Sequence, residues 1–147
     1  MSTVFEIGIT EKNNQEIERK ETIEVIASKG IIGDRYFHDF NGDREQITLI
    51  ESENIDYYNK NFNTNFNYLD FRRNIVTKDI ELNALIGKTI KVGKIKLRVN
   101  DLCRPCKNLQ NRLGQSNIIK EFLKRGGLRC EILTSGFINV GDKIINL

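Results

Sequence analysis

Cys103-Arg104-Pro105-Cys106 sets two thiols three residues apart in a chain whose other metal- or proton-active soft groups are Cys130 and a single histidine, His38. Only thiolate is a good nucleophile or metal ligand, and a cysteine in the first turn of a helix lies near unpaired backbone N–H groups and the positive end of the helix dipole. Cys106 takes that place, after Pro105 and before Lys107–Leu113, with Arg104 and Lys107 adding positive charge. It is therefore the candidate catalytic thiol and metal ligand of the pair. Three other readings of the spacing stay open. A thioredoxin-like dithiol places its motif early and uses a separate proline, whereas Pro105 is the only proline here. A zinc site needs four ligands, which Cys103, Cys106, Cys130 and His38 supply in number but not in finger-like spacing. Thiols also fill cores as small apolar groups, the ordinary expectation for Cys130 in its alternating stretch.

Phe71-Arg72-Arg73-Asn74 is the second chemically loaded segment. On a strand, Arg72 and Asn74 point the same way. Guanidinium binds phosphate with two parallel hydrogen bonds, and a carboxamide matches the donor and acceptor pattern of a heterocycle. A solvated sheet edge carrying two arginines fits the same pattern. Gly30-Ile31-Ile32-Gly33-Asp34-Arg35 is a glycine-punctuated loop that either cradles an anion, with Lys29 and Arg35 beside it, or simply turns the chain. His38 reads as a surface side chain, and Gly126-Gly127 as the end of a helix.

These segments need a framework. Residues 4–10 and 22–27 alternate apolar with other side chains, the period of half-buried strands, and read as a first hairpin turned at Asn13-Asn14-Gln15. Residues 46–50 form another short strand. Ile55, Tyr58 and Phe62 fit one face of a helix over 51–61, and the asparagine-rich stretch after it reads as an ordered loop because Phe62, Phe66 and Tyr68 interrupt it. Residues 71–77 read as a strand and 82–87 as a helical turn closed by glycine. Strands at 89–92 and 94–100 flank Gly93, a helix spans 107–113, a second helix capped by Ser116 spans 117–125, and strands at 128–134 and 139–146 finish the chain. Seven or eight short strands with two or three short helices predict a mostly β (α+β) fold, a closed or nearly closed barrel in one domain over residues 1–147.

Composition narrows the function. The 147 residues are 39% hydrophobic, enough for one core. The formal net charge of +3 gives no argument for nucleic acid as a partner. No apolar run is long enough to span a bilayer, and Met1-Ser2-Thr3-Val4-Phe5-Glu6 lacks a signal-peptide layout, so no membrane partner and a cytoplasmic location are expected. Three cysteines do not form a closed disulfide framework, and a reducing compartment keeps them as thiols.

Taken in order, five segments resemble the MOSC family, the domain found at the C-terminus of molybdenum cofactor sulfurases and as free-standing proteins. They are the Gly30–Arg35 loop, Arg44-Glu45-Gln46-Ile47-Thr48-Leu49, Phe71-Arg72-Arg73-Asn74-Ile75-Val76, Cys103-Arg104-Pro105-Cys106-Lys107-Asn108-Leu109, and the stretch from Gly136 to Ile144. The resemblance implies a β-barrel and a molybdenum cofactor (a molybdenum pyranopterin), with Cys106 ligating the metal or carrying sulfur. It implies pterin contacts from Arg72 and Asn74, with Arg73 standing where a proline is often found, and Lys29 and Arg35 complete the expected set of cofactor-binding residues. The implied substrates are small N-hydroxylated compounds, with a separate flavin or iron–sulfur protein as electron donor. The alternative it implies is a carrier that delivers sulfur or cofactor from Cys106 to a recipient enzyme.

Overall fold

The computed structural model describes residues 1–13, 15–38 and 46–147. Along the chain run β1 (Thr3–Ile9), β2 (Glu18–Lys20), β3 (Thr22–Ile26), β4 (Gly30–Ile31), β5 (Ile47–Glu51), α1 (Ser52–Phe62), a 3₁₀ turn at Tyr68–Phe71 and β6 (Ile75–Lys78). A second 3₁₀ turn at Leu82–Leu85 leads to β7 (Thr89–Val92), β8 (Ile95–Leu102), α2 (Lys107–Leu113), α3 (Ile118–Glu121), β9 (Leu128–Ile132), β10 (Gly136–Asn139) and β11 (Ile144–Asn146).

Eight strands form one sheet in the order β11-β7-β8-β9-β5-β6-β1-β2. Thr3 in β1 bridges Lys143, and the Ile144 amide donates to the Ser2 carbonyl at 3.0 Å, so the two ends of the seven-strand run from β11 to β1 meet. The sheet thus curls into the nearly closed barrel that the strand count predicted. β10, β3 and β4 form a separate three-stranded sheet. Alternation sets the inside: Ile95, Leu97 and Val99 of β8 and Leu128, Cys130 and Ile132 of β9 are buried, while Lys96 and Arg98 face out. Each buried branched aliphatic side chain contributes about 1.5–3 kcal/mol by leaving water.

One part of the barrel has cover outside as well. β5 and β6 are parallel, and a parallel pair needs a crossover, which α1 provides. Leu49 and Ile75 therefore enter the barrel core, whereas Ile50 and Val76 join Ile55, Tyr58, Phe71, Leu109, Ile118 and Phe122 in a second apolar cluster. Phe71 and Phe122 lie 4.6 Å apart between ring centres. This aromatic layer anchors α1, α2 and the 3₁₀ turn before β6, the elements that carry the chemically loaded segments.

Several local expectations are corrected. β1 does not pair with β3: it pairs with β2 and β6, because the chain leaves the barrel after Lys20 and β3 joins β10 instead. The strand expected over 71–77 begins only at Ile75, since Tyr68–Phe71 is a 3₁₀ turn and Arg72 is left-handed at φ 65°. The helix expected over 117–125 is a single turn, Ile118–Glu121, with Asn117 engaged by the Tyr58 hydroxyl. The stretch 139–146 splits into the end of β10 and β11. The asparagine-rich loop is ordered by Asn59, whose carboxamide accepts from the Thr64 hydroxyl and the Phe66 amide and donates to the Phe66 carbonyl. Asn14 of the expected first turn, and Arg44 and Glu45 of the Arg44–Leu49 segment, lie outside the described residues.

Candidate functional site

Four segments meet at one end of the barrel: the chain after β1, the residues before β6, the chain after β8, and the Gly126-Gly127 corner before β9. Asn74 stitches the first two to β5. Its Oδ1 accepts from the Thr48 amide and hydroxyl, each at 3.1 Å, and its Nδ2 donates to the Gly8 carbonyl at 3.1 Å. The side chain is fully buried. Its expected place on a ligand-binding face is therefore corrected: Asn74 holds the framework, and its carboxamide is spent on the protein.

The residues just before Asn74 turn outward because Arg72 adopts the left-handed conformation, which sends Arg72 and Arg73 to different walls. Arg72 donates to the carbonyls of Gln15 at 2.6 Å and Asn13 at 2.8 Å. Arg73 donates to the carbonyls of Gly126 at 2.8 Å and Cys103 at 3.0 Å. Arg35 donates to the Arg72 carbonyl at 3.1 Å and pairs with Asp34 at 3.4 Å. Its guanidinium also lies 4.4 Å from the centre of the Tyr36 ring.

The Gly30–Arg35 loop is a turn that delivers Arg35. Asp34 accepts from the Thr10 amide at 3.1 Å, and the Arg35 amide donates to the Thr10 carbonyl at 2.7 Å. Burial raises the Asp34 carboxyl above its ordinary value, against the lowering effect of the Thr10 hydrogen bond and of Arg35. Lys29 instead pairs through its backbone with Ile26 and His38 and does not line the cavity described below, a correction to its expected role. His38 is half-buried, with Nδ1 2.9 Å from the Tyr36 carbonyl oxygen.

Cys103 and Cys106 follow β8. The Cys103 amide donates to the Gly127 carbonyl at 2.7 Å. A Cβ on Gly126 would come within 2.5 Å of the Cys103 oxygen, and one on Gly127, at φ 100°, within 1.8 Å of the Leu49 oxygen, so only glycine fits this corner. Cys106 is the N-cap residue of α2, not part of its first turn, and it is exposed. Cys103 is half-buried, and Cys130 is enclosed among barrel side chains, where burial pushes its thiol far up. Among the described residues no three His, Cys, Asp or Glu side chains gather as a metal cage.

Cys106 opens onto a cavity of about 490 Å³ lined by Asn13, Arg35, Tyr36, Arg72, Arg73, Asn108, Leu109 and Arg112. Arg104, expected beside the thiol, is instead paired with Asp101 at 3.4 Å, and the positive lining comes from Arg35, Arg72, Arg73 and Arg112. Burial, followed by the charges of Arg112 and Arg35, lowers the Arg72 guanidinium below the ordinary arginine value. Such a wall suits a phosphate or another compact anion. The donor set also suits a metal that arrives already chelated by an organic cofactor, since one soft sulfur is then the only protein ligand required. Arg112 and Tyr36 were missed by the sequence reading. Asn108 and Arg112 are four apart on α2 and so share one of its faces, the signal that groups them, but that face is not found by counting helical turns from Cys106, which is only the N-cap.

A family model described as the MOSC domain matches residues 37–145. Among solved structures, the YuaD protein from Bacillus subtilis superposes with a TM-score of 0.83 at 16% identity, covering 98% of this chain and 94% of that one. YiiM from Geobacillus stearothermophilus gives 0.79 at 13% identity, covering 100% and 75%. YiiM from Escherichia coli gives 0.76 at 17%, covering 100% and 70%. At these identities the likeness establishes the fold. No curated protein sequence matches the chain.

Proposed function

Because the chain belongs to the MOSC domain family, we propose that it binds a molybdenum cofactor in the cavity beside Cys106, with the Cys106 sulfur as the metal's protein ligand. The observation that carries the reading is the meeting of one exposed thiol with four arginines around a single cavity. Arg72 and Arg112 would hold the cofactor's phosphate, with Arg35 in support, and Tyr36 and Leu109 offer flat and apolar surface to its ring system. In this reading Arg35 and Arg72 stay in the cofactor-binding set, Arg72 on the phosphate where a pterin contact was expected; Asn74 and Lys29 leave it.

When bound, the cofactor would supply the reduction of an N–OH group: two electrons and two protons convert it to N–H and release water. The chain's own contribution is to fix the sulfur, neutralise the phosphate and shape the opening through which a small N-hydroxylated base or amidoxime enters. Electrons would come from a separate flavin or iron–sulfur protein. The exposure of Cys106 favours a second reading, a carrier that passes sulfur or cofactor to a recipient enzyme, because hand-over needs an accessible thiol.

Reduction of a hydroxylaminopurine by the cofactor-loaded protein with an artificial electron donor tests the enzyme reading. Turnover that vanishes in Cys106→Ser supports it. Fully loaded protein that shows no turnover leaves the carrier reading in its place.

A further inference from the structure

The stretch from Cys103 to Cys106 has no helix or strand of its own, and Cys106 makes no side-chain capping bond to α2. Something else must hold its sulfur in register with the cavity. Pro105 is buried, and the Gly126 backbone lies against both Pro105 and the Cys103 carbonyl. Beside the bond from the Cys103 amide to the Gly127 carbonyl, a side-chain tie comes from Arg73, whose Nε and Nη2 reach the Gly126 and Cys103 carbonyls, with Nη1 at 3.4 Å from the Phe71 carbonyl. Arg73 is rooted one residue before the fully buried Asn74, so it links the rigid end of the barrel to the loop that bears the thiol.

We infer that Arg73 is a positioning residue for Cys106, clamping the Cys103–Cys106 loop through two carbonyls at once. The inference rests on the reading of Cys106 as the functional sulfur. The planar guanidinium fork is what the geometry demands: an ammonium carries the same charge on a point and does not span both oxygens in a fixed plane. A merely electrostatic role for Arg73 would be served by lysine, whereas a clamp is not.

The test compares Arg73→Lys and Arg73→Ala with the unaltered full chain, after thermal unfolding has shown that each variant folds. Initial labelling rates at Cys103 and Cys106 are read separately by peptide mass spectrometry, with neutral iodoacetamide and anionic iodoacetate. In both variants Cys103 labelling rises about tenfold, the factor set by loss of one charged hydrogen bond. The iodoacetate-to-iodoacetamide ratio at Cys106 stays near the unaltered value in Arg73→Lys and falls in Arg73→Ala. Lysine restoring full protection of Cys103, or alanine leaving both thiols within about twofold of the unaltered rates, less than one such bond contributes, overturns the clamp. These rates need no cofactor, so the clamp and the molybdenum reading fail independently.

Discussion

Arg35 donates from Nη2 to the main-chain oxygen of Arg72 across 3.1 Å, which binds one cationic residue to the backbone of another at the cavity wall. Arg72 is buried with Arg112 and Arg35 as its strongest charged neighbours, both unfavourable. A dianion entering the cavity relieves that repulsion. Inorganic phosphate is therefore expected to stabilise the folded chain by about 2.7 kcal/mol at a hundredfold excess over its dissociation constant, and so to raise the unfolding midpoint. Arg72→Met should remove most of the gain. A calorimetric scan in which phosphate protects the variant as well as the unaltered protein contradicts the assignment.

Asn74→Ala is a framework change. It strips partners from the buried Thr48 amide and the Gly8 carbonyl, and leaving such groups unpaired costs about 1–3 kcal/mol each. Urea denaturation should show a fall of about 3 kcal/mol or more. A fall below ~1 kcal/mol, with ligand affinity lost instead, would return Asn74 to the ligand-binding face.

Gly127→Ala and Gly126→Ala should differ in kind. At Gly127 the new methyl meets the Leu49 oxygen in the barrel wall and φ is 100°, so global stability drops by about 3 kcal/mol or more. At Gly126 it meets the backbone oxygens of Cys103 and Phe122 and the Pro105 ring, with no left-handed φ to add strain, so stability falls by less than at Gly127 and Cys103 labels faster. Thermal melts paired with thiol labelling separate the two. Equal losses of stability would mean that the thiol loop is part of the barrel's cooperative core.

Asp34 predicts a pH dependence. Burial raises its folded-state value above 3.8, so the native chain holds that proton more tightly than the unfolded chain. Its contribution is complete below 3.8 and is lost as pH rises through the higher folded value. Asp34→Asn keeps an acceptor for the Thr10 amide and abolishes the titration, so the variant's stability relative to the unaltered protein should climb as pH increases across that window. A difference that stays constant with pH rules this out.

The barrel was legible because strands such as β8 and β9 bury every second residue, a period that survives in the sequence. Pairing was not, since β1 and β3 alternate equally well and only the three-dimensional route of the chain sends β3 to β10. Cys106, Arg35 and Arg72, which the fold brings to one cavity, were singled out by residue type and local context. Asn74 was misread because a strand period was extended through Arg72, whose left-handed backbone breaks it, and a polar residue at a strand start serves a ligand or a framework with the same letters. Arg73 gave its signal only as a departure from pattern, while its partners at Cys103 and Gly126 lie 30 and 53 residues further on. Such ties are invisible to spacing. Lys29 was named for its charge and neighbours, but it does not line the cavity.

The central claim is that the Cys106 sulfur is the one protein ligand of a molybdenum cofactor, and metal content tests it most directly. Protein purified without oxygen from a host that makes the cofactor is assayed for molybdenum, zinc and pterin per chain, alongside Cys106→Ser and Cys130→Ser. Molybdenum and pterin near one per chain, lost in Cys106→Ser and kept in Cys130→Ser, is the expected result. Stoichiometric zinc without molybdenum, or molybdenum that survives Cys106→Ser, contradicts it.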